Sequence, residues 1–106
     1  MSGNGDGDNP IGGNEGVSCE NLVIDTQLSS PNKEVLESLS VGDILYISIV
    51  SDQGPVQALT NNGAVAGGIL SSRVIDLVNC IVNDHQYLAD VLEINGAICR
   101  IRIRPA

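Results

Sequence analysis

The sequence has no tryptophan and no phenylalanine, and among 106 residues only two tyrosines, Tyr46 and Tyr87. Its core must therefore be aliphatic. Few rigid aromatic anchors are present for a large protein-binding hot spot, and few for stacking unpaired bases. Basic residues are also scarce. Five Lys and Arg stand against thirteen Asp and Glu, for a net charge of -8. A chain of that sign repels nucleic acid and membrane surfaces at long range. Asp6, Asp8 and Glu15 precede the first apolar run, and setting them aside still leaves -5.

Histidine and cysteine are almost missing too. His85 stands alone, and Cys19, Cys80 and Cys99 are far apart with no Cys-x-x-Cys pair. That set is too poor for a zinc site. Three cysteines leave one over in any oxidised framework, so free, mostly buried thiols and a reducing, cytoplasmic compartment are expected. No basic stretch followed by an apolar run marks a secretory signal. No apolar run approaches the roughly 20 residues of a membrane helix. A soluble protein that does not enter membranes is expected.

Catalytic patterns are equally thin. His85 follows Asp84 directly, which is poor geometry for a carboxylate meant to orient an imidazole toward a nucleophile. No paired-carboxylate site, phosphate loop or dinucleotide fingerprint occurs. Asn4, Asp6, Asp8, Ile11 and Glu15 fall at the spacing of a calcium loop. Asn9 stands where that loop needs glycine, and only three residues precede it. The expectation is a non-enzymatic protein with no cofactor, no bound metal and no small-molecule substrate.

What is present is a small β-rich domain. Residues 1–18 are rich in Gly, Asn and Asp and cannot bury enough to offset ordering, so a disordered acidic tail is expected there. A single domain over 19–106 follows. Leu22, Ile24 and Leu28 share one parity of a strand. Ser30-Pro31 reads as the N-cap and first position of a short helix over about 31–38. Residues 44–50, ILYISIV, are the strongest strand signal and are apolar on both faces, which suits the centre of a sheet. Asn61-Asn62-Gly63 reads as a hairpin turn, and Gly67-Gly68 as a kink in the strand that follows. Val74, Leu77, Val78, Ile81 and Val82 form one apolar stripe of a helix over about 72–83, capped by Ser71 or Ser72.

The chain closes on ICRIRIRPA, which holds three of the five basic residues at every second position. With a three-residue loop Ile94-Asn95-Gly96, Val91 faces Cys99, Ala89 faces Ile101, Tyr87 faces Ile103 and Asp90 pairs with Arg100. One side of the hairpin is then wholly apolar, and a one-residue slip would reverse it. Arg100, Arg102 and Arg104 point outward together, spaced by ~6.7 Å, twice the rise per residue. That row is the candidate nucleic-acid-binding site, since it matches a run of backbone phosphates. An alternating strand that protects a sheet edge with charge gives the same pattern.

From Val41 onward the order of features is Val41-Gly42-Asp43-x-Leu45-x-Ile47, a strand with Val56, then Gly63, Gly68-Ile69, an amphipathic helix and Tyr87-x-Ala89-x-Val91. Over about residues 19–104 this resembles the HIRAN domain, a small barrel of DNA-repair helicases that also occurs alone in bacteria. The resemblance implies a barrel that grips a single strand or DNA end. In that family an Asn-Pro-Tyr-Asp-type segment before the third strand supplies aromatics for the grip. The corresponding Asp52-Gln53-Gly54-Pro55-Val56-Gln57 has no tyrosine.

The fold expected is α+β and β-rich: a five- to six-stranded, mostly antiparallel barrel with one main helix and one short one. Two functions are expected of it. One is a nucleic-acid-binding module acting through Arg100, Arg102 and Arg104. The other is a module that docks a protein partner or a second copy, with no nucleic acid.

Overall fold

Inward and outward side chains alternate along the strands, and the inward sides close on one another. A computed structural model describes residues 18–106. The expected tail up to residue 17 and the calcium-like spacing of Asn4 to Glu15 lie outside the described residues.

After a 3₁₀ turn at Cys19–Asn21 come β1 (Ile24–Ser29), α1 (Lys33–Glu37), β2 (Ile44–Ile49), β3 (Val56–Leu59) and β4 (Val65–Ile69). Then follow α2 (Val74–Val82), β5 (Tyr87–Asn95) and β6 (Ile98–Pro105). The six strands form a closed barrel in the order β1-β4-β3-β2-β5-β6, and every neighbouring pair is antiparallel. Closure removes the long free edges of an open sheet.

The barrel is filled by aliphatic side chains from every strand, including Leu28, Leu45, Val56, Ala66, Ala89, Ile101 and Ile103. Burying each large one is worth roughly 1.5–3 kcal/mol. α2 turns Leu77 and Cys80 inward, and Val74, Val78 and Ile81 pack beside them. Val82, the last residue of the expected stripe, is exposed.

Two caps differ from the sequence reading. Asn32, not Ser30, caps α1, and its side chain accepts from the Glu34 and Val35 amides. Ser30 sits instead in the left-handed region at φ 46°. Arg73 occupies the cap position of α2 without a side-chain hydrogen bond. Ser71 supports that entry from outside, accepting from the Arg73 amide. At Gly67 the reason for glycine is space. A Cβ there would lie 3.0 Å from Leu28 Cβ and 3.1 Å from the Ser29 carbonyl oxygen, where β1 crosses into α1.

The expectation of three free thiols is corrected. Cys19 and Cys80 are joined in a disulfide across 61 residues of sequence, and Cys99 alone is free and buried. α2 presents Cys80 on its inward side, one turn from Leu77. The 3₁₀ turn brings Cys19 to the same end of the barrel, where the Tyr87 hydroxyl donates to the Cys19 carbonyl. The cytoplasmic expectation rested in part on free thiols, and that support is lost for two of the three. No helix among the described residues is long and apolar enough to cross a membrane.

Candidate functional site

β6 carries the arginine row, and the structure keeps its expected facing. Cys99, Ile101 and Ile103 are fully buried, while Arg100, Arg102 and Arg104 alternate with them on the outside. Burial raises the Cys99 thiol above its ordinary pKa, which keeps it protonated and unreactive.

The register of the last hairpin differs from expectation by two residues. The turn is Gly96-Ala97, with Asn95 opposite Ile98 and Ile94 opposite Cys99. A bulge at Leu92 then shifts the ladder, so Val91 meets Ile101, Asp90 meets Arg102 and Ala89 meets Ile103. An even shift preserves parity, so every side chain stays on its expected face. The partners nevertheless change. The expected Asp90–Arg100 pair does not form.

Each arginine instead meets a different carboxylate. Arg102 lies between Asp90 on β5 and Asp25 on β1. It forks onto Asp25, with Nε at 2.8 Å from Oδ1 and Nη2 at 3.1 Å from Oδ2. Asp90 is left to the diagonal neighbour. Arg104 Nε lies 2.7 Å from its Oδ2 and Nη2 lies 3.2 Å from its Oδ1. Arg100 is held more loosely, with Nε 3.9 Å from Glu93 Oε1. Arg73, the remaining arginine, lies 3.8 Å from Asp76 on α2. The row of three positive charges is thus matched by Asp25, Asp90 and Glu93 on the flanking strands. Such exposed pairs add little to stability. Their larger effect is to cancel the field and engage the planar donors that a phosphate would use.

Both bidentate carboxylates titrate below the usual Asp range, first because of the hydrogen bonds from Arg102 to Asp25 and from Arg104 to Asp90. A depressed folded pKa gives stability that is present above the unfolded value, near 3.9, and is lost as pH falls through the folded one. Asp25→Asn combined with Asp90→Asn should therefore weaken the acid dependence of stability below about pH 4. Urea midpoints of both proteins between pH 2 and 7 check this. An unchanged acid limb would mean that the two pairs do not form in solution.

Six carboxylates among the described residues have no basic partner: Glu20, Glu34, Glu37, Asp43, Asp52 and Asp84. Lys33 is the only described basic side chain outside the four ion pairs. The unmatched surface charge is thus almost entirely negative.

The outer wall of the barrel holds a feature the sequence pattern only half revealed. Residues 44–49 are apolar on both faces, but just one face meets the core. On the other, Tyr46 lies opposite Leu88 of β5 on one side and Leu59 of β3 on the other, and Leu59 lies opposite Val65 of β4. Leu88, Tyr46, Leu59 and Val65 therefore make a lateral apolar row across four strands. Tyr46 and Val65 are 45% and 39% exposed, and Ile44, one step along β2, is 43% exposed. Nothing in the described chain covers them.

This row separates two clefts. One, of about 530 Å³, is lined by Ser38, Asp43, Ile44, Tyr46, Thr60 and Asn62 among others. The other, of about 490 Å³, lies between the far half of β2 and the start of β5, lined by Ile47, Ile49, Ile81, His85 and Tyr87 among others. His85, half-buried in the loop after α2, donates its backbone amide to the Cys80 carbonyl. Among the described residues no three His, Cys, Asp or Glu side chains converge as a metal-binding group.

No family model, curated protein or solved structure matches this chain.

Proposed function

We propose that this domain is a non-catalytic interaction module that docks a protein partner on the outer wall centred on β2. The observation that carries this reading is the uncovered row Leu88, Tyr46, Leu59 and Val65, with Ile44 beside it. Contiguous exposed apolar surface of this kind marks interaction sites on soluble proteins. Tyr46 supplies the one exposed aromatic anchor, a residue type that dominates interface energetics. On this reading the arginines of β6 are surface charges that keep the adjoining wall soluble and well registered.

The alternative is that Arg100, Arg102 and Arg104 contact a phosphate backbone, as the resemblance to the HIRAN domain implies. Two observations weigh against it. A phosphate would have to displace Asp25 and Asp90 from bidentate grips. The local charge is also balanced, so few counterions would be released on binding, and that release supplies most non-specific affinity for nucleic acid.

Fluorescence anisotropy with labelled single-stranded and blunt duplex oligonucleotides separates the two. At about 50 mM salt, a concentration at which phosphate contacts are still strong, no saturable binding is expected. Saturable binding that is lost in Arg102→Glu would overturn the docking proposal in favour of phosphate contact.

A further inference from the structure

Closure of the barrel between β2 and β5 is brief. Their register runs only from Ile44 opposite Asp90 to Tyr46 opposite Leu88. The register of β2 with β3 continues to Ile49 opposite Val56. One step further along the register with β5, Ile47 meets Tyr87, where β5 begins, so only Ser48 and Ile49 have a strand neighbour on one side alone. On the other side β5 gives way to His85 and Gln86, and the cleft of about 490 Å³ opens there. β6 does not fill it, because the Ala106 amide donates to the Gln86 carbonyl. In an antiparallel ladder alternate residues direct their amide and carbonyl groups to opposite neighbours. The Val50 amide donates to the Pro55 carbonyl on the β3 side, so the odd-numbered residues point the other way, Ile47 toward Tyr87 and Ile49 toward the cleft.

We propose that this open end of β2 takes up a short extended segment of a partner protein, which adds as a strand beside Ser48 and Ile49. The inference rests on the docking reading above and gives it a mode and a partner chemistry. Backbone hydrogen bonds to the open edge supply affinity, as in other strand-addition complexes. Side chains of one parity enter the cleft among Ile47, Ile49, Ile81 and Tyr87, which selects small or branched apolar residues. Side chains of the other parity lie on the outer surface beside Tyr46 and Leu88.

Charge sets the sign of that outer parity. Asp52 lies in the turn that leaves β2 and Asp84 adjoins His85 on the cleft rim, and neither has a basic partner among the described residues; Asp43 sits at the far end of the strand, on the other cleft. The complementary segment alternates apolar with Lys or Arg residues. Like-charged juxtaposition disfavours an acidic strand, and it disfavours a second copy of this acidic chain in the same way.

The test uses the full chain, ¹⁵N-labelled, titrated with a heptapeptide alternating valine and lysine. Two analogues accompany it, one with glutamate for each lysine and one with alternate backbone nitrogens methylated on the edge facing β2. Expected are saturable amide shifts at Ser48, Ile49 and Gln86, at least tenfold weaker binding of the methylated peptide, and no binding of the glutamate peptide. Asp52→Asn with Asp84→Asn should weaken binding several-fold while leaving the thermal midpoint unchanged. If the methylated peptide binds as well as the parent, with shifts confined to Tyr46, Leu59 and Val65, strand addition is overturned and the docking wall stands. If no peptide shifts either region, both are overturned. If the Ser48 and Ile49 shifts appear on concentration without peptide, together with a dimer in sedimentation, the occupant is a second copy and the partner chemistry proposed is wrong.

Discussion

Breaking the Cys19–Cys80 disulfide should lower the thermal midpoint by about 15–30 °C. The bond closes a loop across 61 residues of sequence, most of the barrel. In the chain-entropy account, cross-linking over that length removes roughly 4 kcal/mol of freedom from the unfolded chain. For a domain of this size each kcal/mol corresponds to roughly 4–8 °C. The bond also fixes the 3₁₀ turn against α2, at the end of the barrel where the Tyr87 hydroxyl reaches the Cys19 carbonyl. Calorimetry with and without reductant reads the effect, and Cys19→Ser with Cys80→Ser should reproduce the reduced value. Alkylation of the folded, unreduced protein should label no cysteine, since Cys99 is buried. A midpoint that moves by less than about 5 °C would show that the two thiols are not bonded in the folded protein.

The second large effect tests the facing of the last strand. Ile101 is fully buried, and Ile98, three residues earlier on β6, is 47% exposed. Ile101→Ala removes three methyl or methylene groups from a filled barrel and should cost about 2–5 kcal/mol. Ile98→Ala should cost well under 1 kcal/mol, as surface substitutions do. Urea unfolding of both variants gives the comparison. Equal costs, or a larger cost at Ile98, would mean that β6 has the opposite face inward.

That facing was legible in the sequence because burial acts on parity, and ICRIRIR has a single parity to offer. The partner of each arginine was not. Register depends on the bulge at Leu92 and on a turn at Gly96-Ala97 rather than a loop over Ile94-Asn95-Gly96, and neither leaves a clear residue signature. A shift of two residues costs nothing in facing, so patterning alone could not exclude it. Asp25 was unreachable for a further reason. It lies 77 residues from Arg102, and only the closure of β1 onto β6 joins them.

The same limit applies to the cysteines. Three thiols with no local spacing carry no pairing information, and the argument from odd number pointed away from the bond that forms. Ser30-Pro31 reads as a cap and first helical position, yet Asn32 captures the first free amides of α1 while Ser30 turns the chain out of β1. The doubly apolar strand at 44–50 was a true signal, read there as a strand at the centre of a sheet. In a six-stranded barrel every strand has an outer face, and only a covering helix could bury it. α2 leaves the outer face of β2 bare, so the apolar side chains there require another explanation, which the docking proposal supplies.

The most direct test of the account follows the arginine side chains themselves. Nε–Hε resonances of Arg102 and Arg104 should be protected from solvent exchange by their carboxylate forks, while those of Arg100 and Arg73, whose nearest carboxylate oxygens lie at 3.9 and 3.8 Å, exchange rapidly. Addition of a single-stranded oligonucleotide at low salt should leave all four unmoved. Loss of protection at Arg102 and Arg104, with their resonances shifting in proportion to added oligonucleotide, would contradict it.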